Sequence, residues 1–291
     1  MDKWIKMGLS YSHKFGQIIG DLLELSITPH LEKFAKENNL FLDKKGTRKA
    51  RKGKKVTWID DHGNKHDLDF VIERNGSETK IGEPIAFIES AWRRYTKHSR
   101  NKAQEIQGAI IPLQNKYSAN SPFIGVVLAG VFTNGAIKQL ESVGFHVLYF
   151  SYESVIASFA KYGIDASFNE DTAEDIFKKK IELWEKSKNK NDIATSLFEI
   201  NKKNVDSFFS SLDISISRIV EQIFILPLHG KQQDIPTISD AISFLTEYKE
   251  EEPCHHPINH YEIIIRYSTG DKIEASFKTK NKAILFLKNY L

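Results

Sequence analysis

The chain has one cysteine, Cys254, in 291 residues. A disulfide within the chain is therefore excluded, and with it the small cross-linked secreted scaffolds; a reducing, cytoplasmic setting is the expectation. Long apolar runs are also missing. No stretch reaches the roughly 18 apolar residues that suggest a membrane span. The first residues, Met1-Asp2-Lys3-Trp4-Ile5-Lys6, lack the apolar centre of a signal peptide. No membrane partner is expected. Also absent are a phosphate-binding P-loop, a dinucleotide glycine motif and a Gly-x-Ser-x-Gly elbow, which removes several common nucleotide-binding and hydrolase designs. No internal repeat stands out. Overall charge is nearly balanced, 41 basic against 38 acidic side chains for a net +3.

What is present is an ordinary globular composition, 41% hydrophobic and 27% charged. The length allows one sizeable core plus a smaller appended domain. Charge is unevenly placed. Residues 44–55, KKGTRKARKGKK, hold eight Lys or Arg and no acid; residues 93–102, RRYTKHSRNK, hold five more. Acids gather later, at 170–175 and 250–252. A polyanion is drawn to the N-terminal half.

Phe15, Ile18, Ile19, Leu22 and Leu23 recur at helical spacing and predict a helix over 14–38. The basic run 44–55 has two glycines and no apolar period, so it reads as a mobile arm. Residues 55–59 read as a short strand, 60–64 as a turn, and 66–73 as one alternating strand. After a turn at Asn75-Gly76 comes a strand over 83–92. A helix over 94–111 is expected to stop at Pro112. Apolar runs at 123–132 and 145–150 are buried strands, separated by a helix over 134–143. Helical patterning is expected throughout 153–248, with Ile219, Ile223 and Phe224 on one face. A hairpin, 261–267 and 273–277, and a helix over 281–290 close the chain. The fold class is α/β, a mixed central sheet flanked by helices in the order α-β-β-β-α-β-α-β, followed by a helical segment and a small C-terminal β-β-α unit. Domains are expected at 1–152, 153–250 and 256–291, with the stretch 250–257 as linker.

Two acids carry the chemistry. Asp69 precedes the apolar triplet Phe70-Val71-Ile72, and Glu89 lies in the apolar strand that follows. Neighbouring strands can bring them together, and a carboxylate in so apolar a strand is costly unless paired or metal-bound. Two carboxylates with open positions suit Mg²⁺, which combines them with waters and a phosphate oxygen. Asp67 shares a strand face with Asp69 and is its rival. Cys254, His255, His256 and His260 invite a zinc reading, but they crowd into seven residues with no distant partner pair, so a His-rich linker is expected there.

These residues and this order of elements resemble the PD-(D/E)xK nuclease superfamily, which includes many restriction endonucleases. The resemblance covers 14–150. Asp69 matches the motif's Asp, and Glu89-Ser90-Ala91 matches Glu-x-Lys except at its last position, where Ala91 replaces the lysine. The resemblance implies a Mg²⁺-dependent endonuclease acting on double-stranded DNA, most specifically a type II restriction enzyme that binds as a homodimer. It implies Asp69 and Glu89 as catalytic metal ligands, with Glu24 of the leading helix completing the site; Gly16, Gly20 and Glu24 share a helix face. Arg93, Lys97 and Lys102 are candidates for the missing cation, with Lys97 and Arg93 preferred. Arg94, Arg100 and Lys102, together with Arg48, Lys49, Arg51 and Lys52 of the basic run, are the expected DNA contacts. The alternatives are a repair or defence nuclease and a binding protein with an inactive nuclease fold, the latter favoured by Ala91.

Overall fold

The computed structural model describes residues 10–228, 230–249 and 259–290. The chain divides into two units, Met1–Leu212 and Asp213–Leu291. The readings of the N-terminal hexapeptide, the 250–257 linker and Cys254, His255 and His256 lie outside the described residues.

The first unit is mixed α/β. Helix α1 (Tyr11–Glu37) is capped by the Ser10 hydroxyl, which accepts from the His13 amide, and it buries the predicted stripe from Phe15 to Leu23. Strands β1 (Phe41–Lys44), β2 (Val56–Ile59), β3 (Lys65–Leu68), β4 (Phe70–Arg74) and β5 (Glu83–Arg93) follow. Then come α2 (Ser99–Lys116), β6 (Phe123–Gly130), α3 (Asn134–Glu141), β7 (His146–Ser151) and α4 (Tyr152–Ala160). Helices α5 (Glu174–Lys186), α6 (Lys190–Ile200) and α7 (Lys202–Ser217) complete the run. The sheet order is β1-β4-β5-β6-β7, antiparallel as far as β5 and parallel from there. On one face Ala103, Ile106 and Ile110 of α2 and Ala136 and Leu140 of α3 pack with Val71, Phe87, Val126 and Leu128. Helix α1 packs on β5, and α4 on β6 and β7.

Four expectations are corrected here. The strand over 66–73 is two strands: β3 pairs with β2 in a separate hairpin, while β4 pairs with β1 and β5, and the chain switches sheets at Asp69. Alternation continues across the break, which is why the sequence reads as one strand. The basic run is no mobile arm. Its first residue ends β1, and the loop after it is tied by Gly46 N–H to the Lys54 carbonyl and by Ala50 N–H to the Glu78 carbonyl. Helix α2 starts later than expected and runs through Pro112. Leu113 extends the buried stripe beyond it, and that burial offsets the lost hydrogen bond.

The fourth correction concerns residues 219–235, which form β8 (Val220–Pro227) and β9 (Gln233–Ile235) rather than helix. Ile223 and Ile225 alternate inward opposite Ile265 and Ile263. With α8 (Ile238–Glu247), β10 (Tyr261–Tyr267), β11 (Lys272–Phe277) and α9 (Lys280–Lys288), they build the second unit around a sheet ordered β11-β10-β8-β9. This unit is an internal repeat of a ββα element. The central strands pair antiparallel with Phe224 opposite Ile264; Ile223 faces Ile235 in one hairpin as Ile263 faces Ala275 in the other. Thr237, Ala241, Ile242, Phe244, Leu245 and Tyr248 of the first copy recur as Thr279, Ala283, Ile284, Phe286, Leu287 and Tyr290. The strand halves share little identity, so the likeness rests on the helices and on the strand pairing.

Candidate functional site at a strand fork

Asp69 lies where the chain leaves the β2–β3 hairpin and enters the main sheet. Phe70 stands opposite Ile88, so one step further Asp69 stands opposite Glu89. Directly opposed residues of an antiparallel pair project to the same side. Main chain and side chain then clasp each other. The Asp69 N–H donates to Glu89 Oε1 at 3.1 Å, while Asp69 Oδ2 accepts from the Ser90 N–H at 2.8 Å and from the Ser90 hydroxyl at 2.7 Å.

The Glu89 carboxylate is poorly compensated. Glu89 is 9% exposed. Burial, and then the charge of Asp69, push its carboxyl up to about 8, opposed by the Lys102 ammonium. Glu24 on α1 belongs to the same cluster. Its carboxyl is raised by burial and by Asp69, with Lys45 opposing, and it acts in turn on Glu89. Acids from α1, the strand fork and β5 thus meet within direct electrostatic range of one another.

The Lys102 ammonium acts on Glu89 and favours its charged form. Ala91 is buried in the apolar core. Of the preferred candidates, Arg93 donates to the Trp92 carbonyl and stands 3.9 Å from Glu105, and Lys97, 65% exposed, faces Glu170 at 3.7 Å. Asp67 is bound by Lys55 and Thr57, each at 2.6 Å, and does not compete with Asp69.

Several expected DNA contacts are structural instead. Arg48 is buried, forked onto Glu73 at 2.6 and 2.8 Å and paired with Asp43 at 2.9 Å. Arg51 binds Asp43 and the Lys44 carbonyl. Arg94 donates to the Phe168 carbonyl and stacks over Tyr152, 3.9 Å from the ring centroid. A guanidinium with its donors and face occupied this way has little left for a phosphate. Lys49, Lys52 and Arg100 are exposed. The sequence reading missed Ser90 and Lys45; Ser90 sits beside Glu89 in the motif, but its hydrogen bonds depend on the fork.

Among the described residues, no group of three or more His, Cys, Asp and Glu side chains is gathered to hold a metal ion. A Mg²⁺ site needs fewer, since that ion uses one or two carboxylates and fills its remaining positions with water and phosphate. Asp69 and Glu89 fit that requirement, because they stand on the same side of the strand pair, and a divalent cation bonding both would favour the ionised form of the buried Glu89 carboxyl.

No family model matches the sequence, and no curated protein matches it. The structure is similar to the crystal structure of a protein of unknown function, AF1548, at 11% sequence identity and a TM-score of 0.29, over 65% of this chain and 99% of that one. Likeness at that level carries no argument about activity.

Proposed function

We propose that the chain is a Mg²⁺-dependent endonuclease that hydrolyses phosphodiester bonds in double-stranded DNA, in the manner of the PD-(D/E)xK nucleases. One observation supports this reading above the others: Asp69 and Glu89 converge from opposed strand positions, the Glu89 carboxyl raised by burial and by the charge of Asp69, with Lys102 opposing. Asp69 and Glu89 would hold the ion, with Glu24 next to them. The ion would polarise the phosphodiester and lower the pKa of a bound water. The chain's own groups do the rest. Ser90 fixes the Asp69 carboxylate through two donors, and the Asp69 amide orients Glu89. The Lys102 ammonium stabilises negative charge that develops on the phosphate oxygens. Exposed Lys49, Lys52 and Arg100 contribute non-specific, salt-sensitive attraction to the duplex.

The test is cleavage of supercoiled plasmid with Mg²⁺ and with EDTA. Wild type is expected to cut with Mg²⁺ alone, discrete fragments marking a sequence-specific enzyme. Asp69→Ala and Glu89→Ala are expected to lose at least about 100-fold in rate with the fold intact by circular dichroism, and Lys102→Ala about 10- to 100-fold. Normal cutting by both acid variants, or retention of DNA by wild type without any cutting, removes this reading.

A further inference from the structure

Beside the carboxylate cluster a cleft of about 820 Å³ opens along α1. Its floor explains a feature of the sequence. Gly16 and Gly20 line it, on the helix face that carries Glu24 one turn further on. They do not serve close packing. A Cβ built on Gly20 meets nothing within 4 Å, and one on Gly16 meets only Trp92 Nε1 at 3.9 Å. Helical glycine is unfavourable in itself, and here it leaves the floor clear. A side chain at either position would stand in the cleft.

The walls suit an anion with an aromatic part. Ser90 and Lys102 form the end next to the catalytic acids, and Trp92, Arg93, Tyr95 and Lys97 continue outward. The two acids on the lining are already engaged. Glu170 faces Lys97, and the Glu174 carboxylate accepts from the Tyr11 amide at 2.6 Å and the Ser12 amide at 3.4 Å. The volume is that of a small-molecule pocket, about 300–1,000 Å³, so it is too small for a duplex and large enough for a short unpaired strand.

We propose that this cleft receives an unpaired stretch of DNA, one or two nucleotides long, leading away from the carboxylate cluster. Lys102 and Arg93, which face the exposed Glu105 at 3.2 and 3.9 Å, and Lys97, which faces the exposed Glu170 at 3.7 Å, would exchange those acids for its phosphates, and the rings of Trp92 and Tyr95 would carry its bases; cations along a groove with aromatic platforms are the general means of holding a single strand. The assignment rests on the nuclease reading for the polarity of the cleft, and it makes the substrate a duplex with a frayed, tailed or locally opened segment.

The test compares a fluorescein-labelled blunt duplex with the same duplex carrying a short single-stranded tail, by anisotropy in EDTA. Wild type is expected to bind the tailed probe about tenfold more tightly, the scale of one or two stacked bases. Gly20→Leu, which fills the cleft while favouring the helix, is expected to melt no lower than wild type and to lose the preference. Tyr95→Ala is expected to lose it as well and covers the case of a Gly20→Leu protein that does not fold. Equal binding of the two probes by wild type, or a preference that survives in folded variants, overturns the assignment. Because this measurement needs no cleavage, cutting without tail preference removes only the cleft. Tail preference without any cutting removes only the nuclease.

Discussion

Strands β4 and β5 carry a cluster of buried charge at each end, and the two clusters solve the same problem differently. At one end Glu73, fully buried, is met by the Arg48 fork and by the Gly82 N–H at 2.7 Å. Asp43 joins through Arg48 and Arg51. Every charge there has an opposite charge in contact, so the cluster is complete within the chain. At the other end Glu89 has one backbone donor, a repelling Asp69 and the field of Lys102. Similar burial thus leaves one cluster closed and the other open. Uncompensated charge in a low-dielectric setting is a mark of groups arranged for a ligand rather than for the fold.

The largest effect expected from breaking this contrast is at the closed end. Arg48→Met leaves Glu73 and Asp43 buried without their partner and is expected to lower stability by about 3–5 kcal/mol in urea titration. A loss below about 1 kcal/mol would mean that the cluster is not the sealed ion network that its distances indicate.

At the open end the sign reverses. Because folding raises the Glu89 carboxyl from its ordinary 4.5 to about 8, the folded chain binds a proton that the unfolded chain gives up. The associated stability is fully present below pH 4.5 and is lost as pH rises through 8. Metal-free protein is expected to lose up to about 4 kcal/mol across that window. Glu89→Gln, which keeps the shape without the charge, should flatten the dependence, and Mg²⁺ at pH 8 should raise the melting temperature of wild type but not of the variant. A wild-type curve as flat as that of the Gln variant would place Glu89 among ordinary exposed acids.

The smallest effect belongs to Ser90. Removing its hydroxyl takes one of two donors from Asp69 Oδ2. Ser90→Ala is expected to cost about 1–2 kcal/mol of stability and to raise the Mg²⁺ concentration for half-maximal cutting several-fold. An unchanged metal requirement would separate Ser90 from the site's function.

Legibility followed the range of the physics. Asp69 and Glu89 were visible because an acid beside or inside an apolar strand is anomalous in one dimension as well as in three. The cation nearest in effect to Glu89 was not legible for the opposite reason. Arg93, Lys97 and Lys102 look alike as solvated basic residues, and only the path of the 3₁₀ turn at Thr96–His98 into α2 decides which one acts on Glu89. The basic run misled further, since a cluster of Lys and Arg reads as solvated until a buried acid such as Glu73 claims one of them. In the second unit, Ile219, Ile223 and Phe224 satisfied helical spacing while Ile223 and Ile225 satisfied strand alternation, and pairing with β10 settled the matter.

Local rules in the sequence determined the leading helix, most strands, the closing hairpin and helix, and the two anomalous acids, because periodicity, turn chemistry and the cost of burying charge act within a few residues. Tertiary structure alone decided the sheet switch at Asp69, the sealed arginine network, the action of the Lys102 charge on Glu89 and the open floor above Gly16 and Gly20. Each of these depends on which distant group arrives beside a residue, and electrostatic energy is set by that distance rather than by separation along the chain.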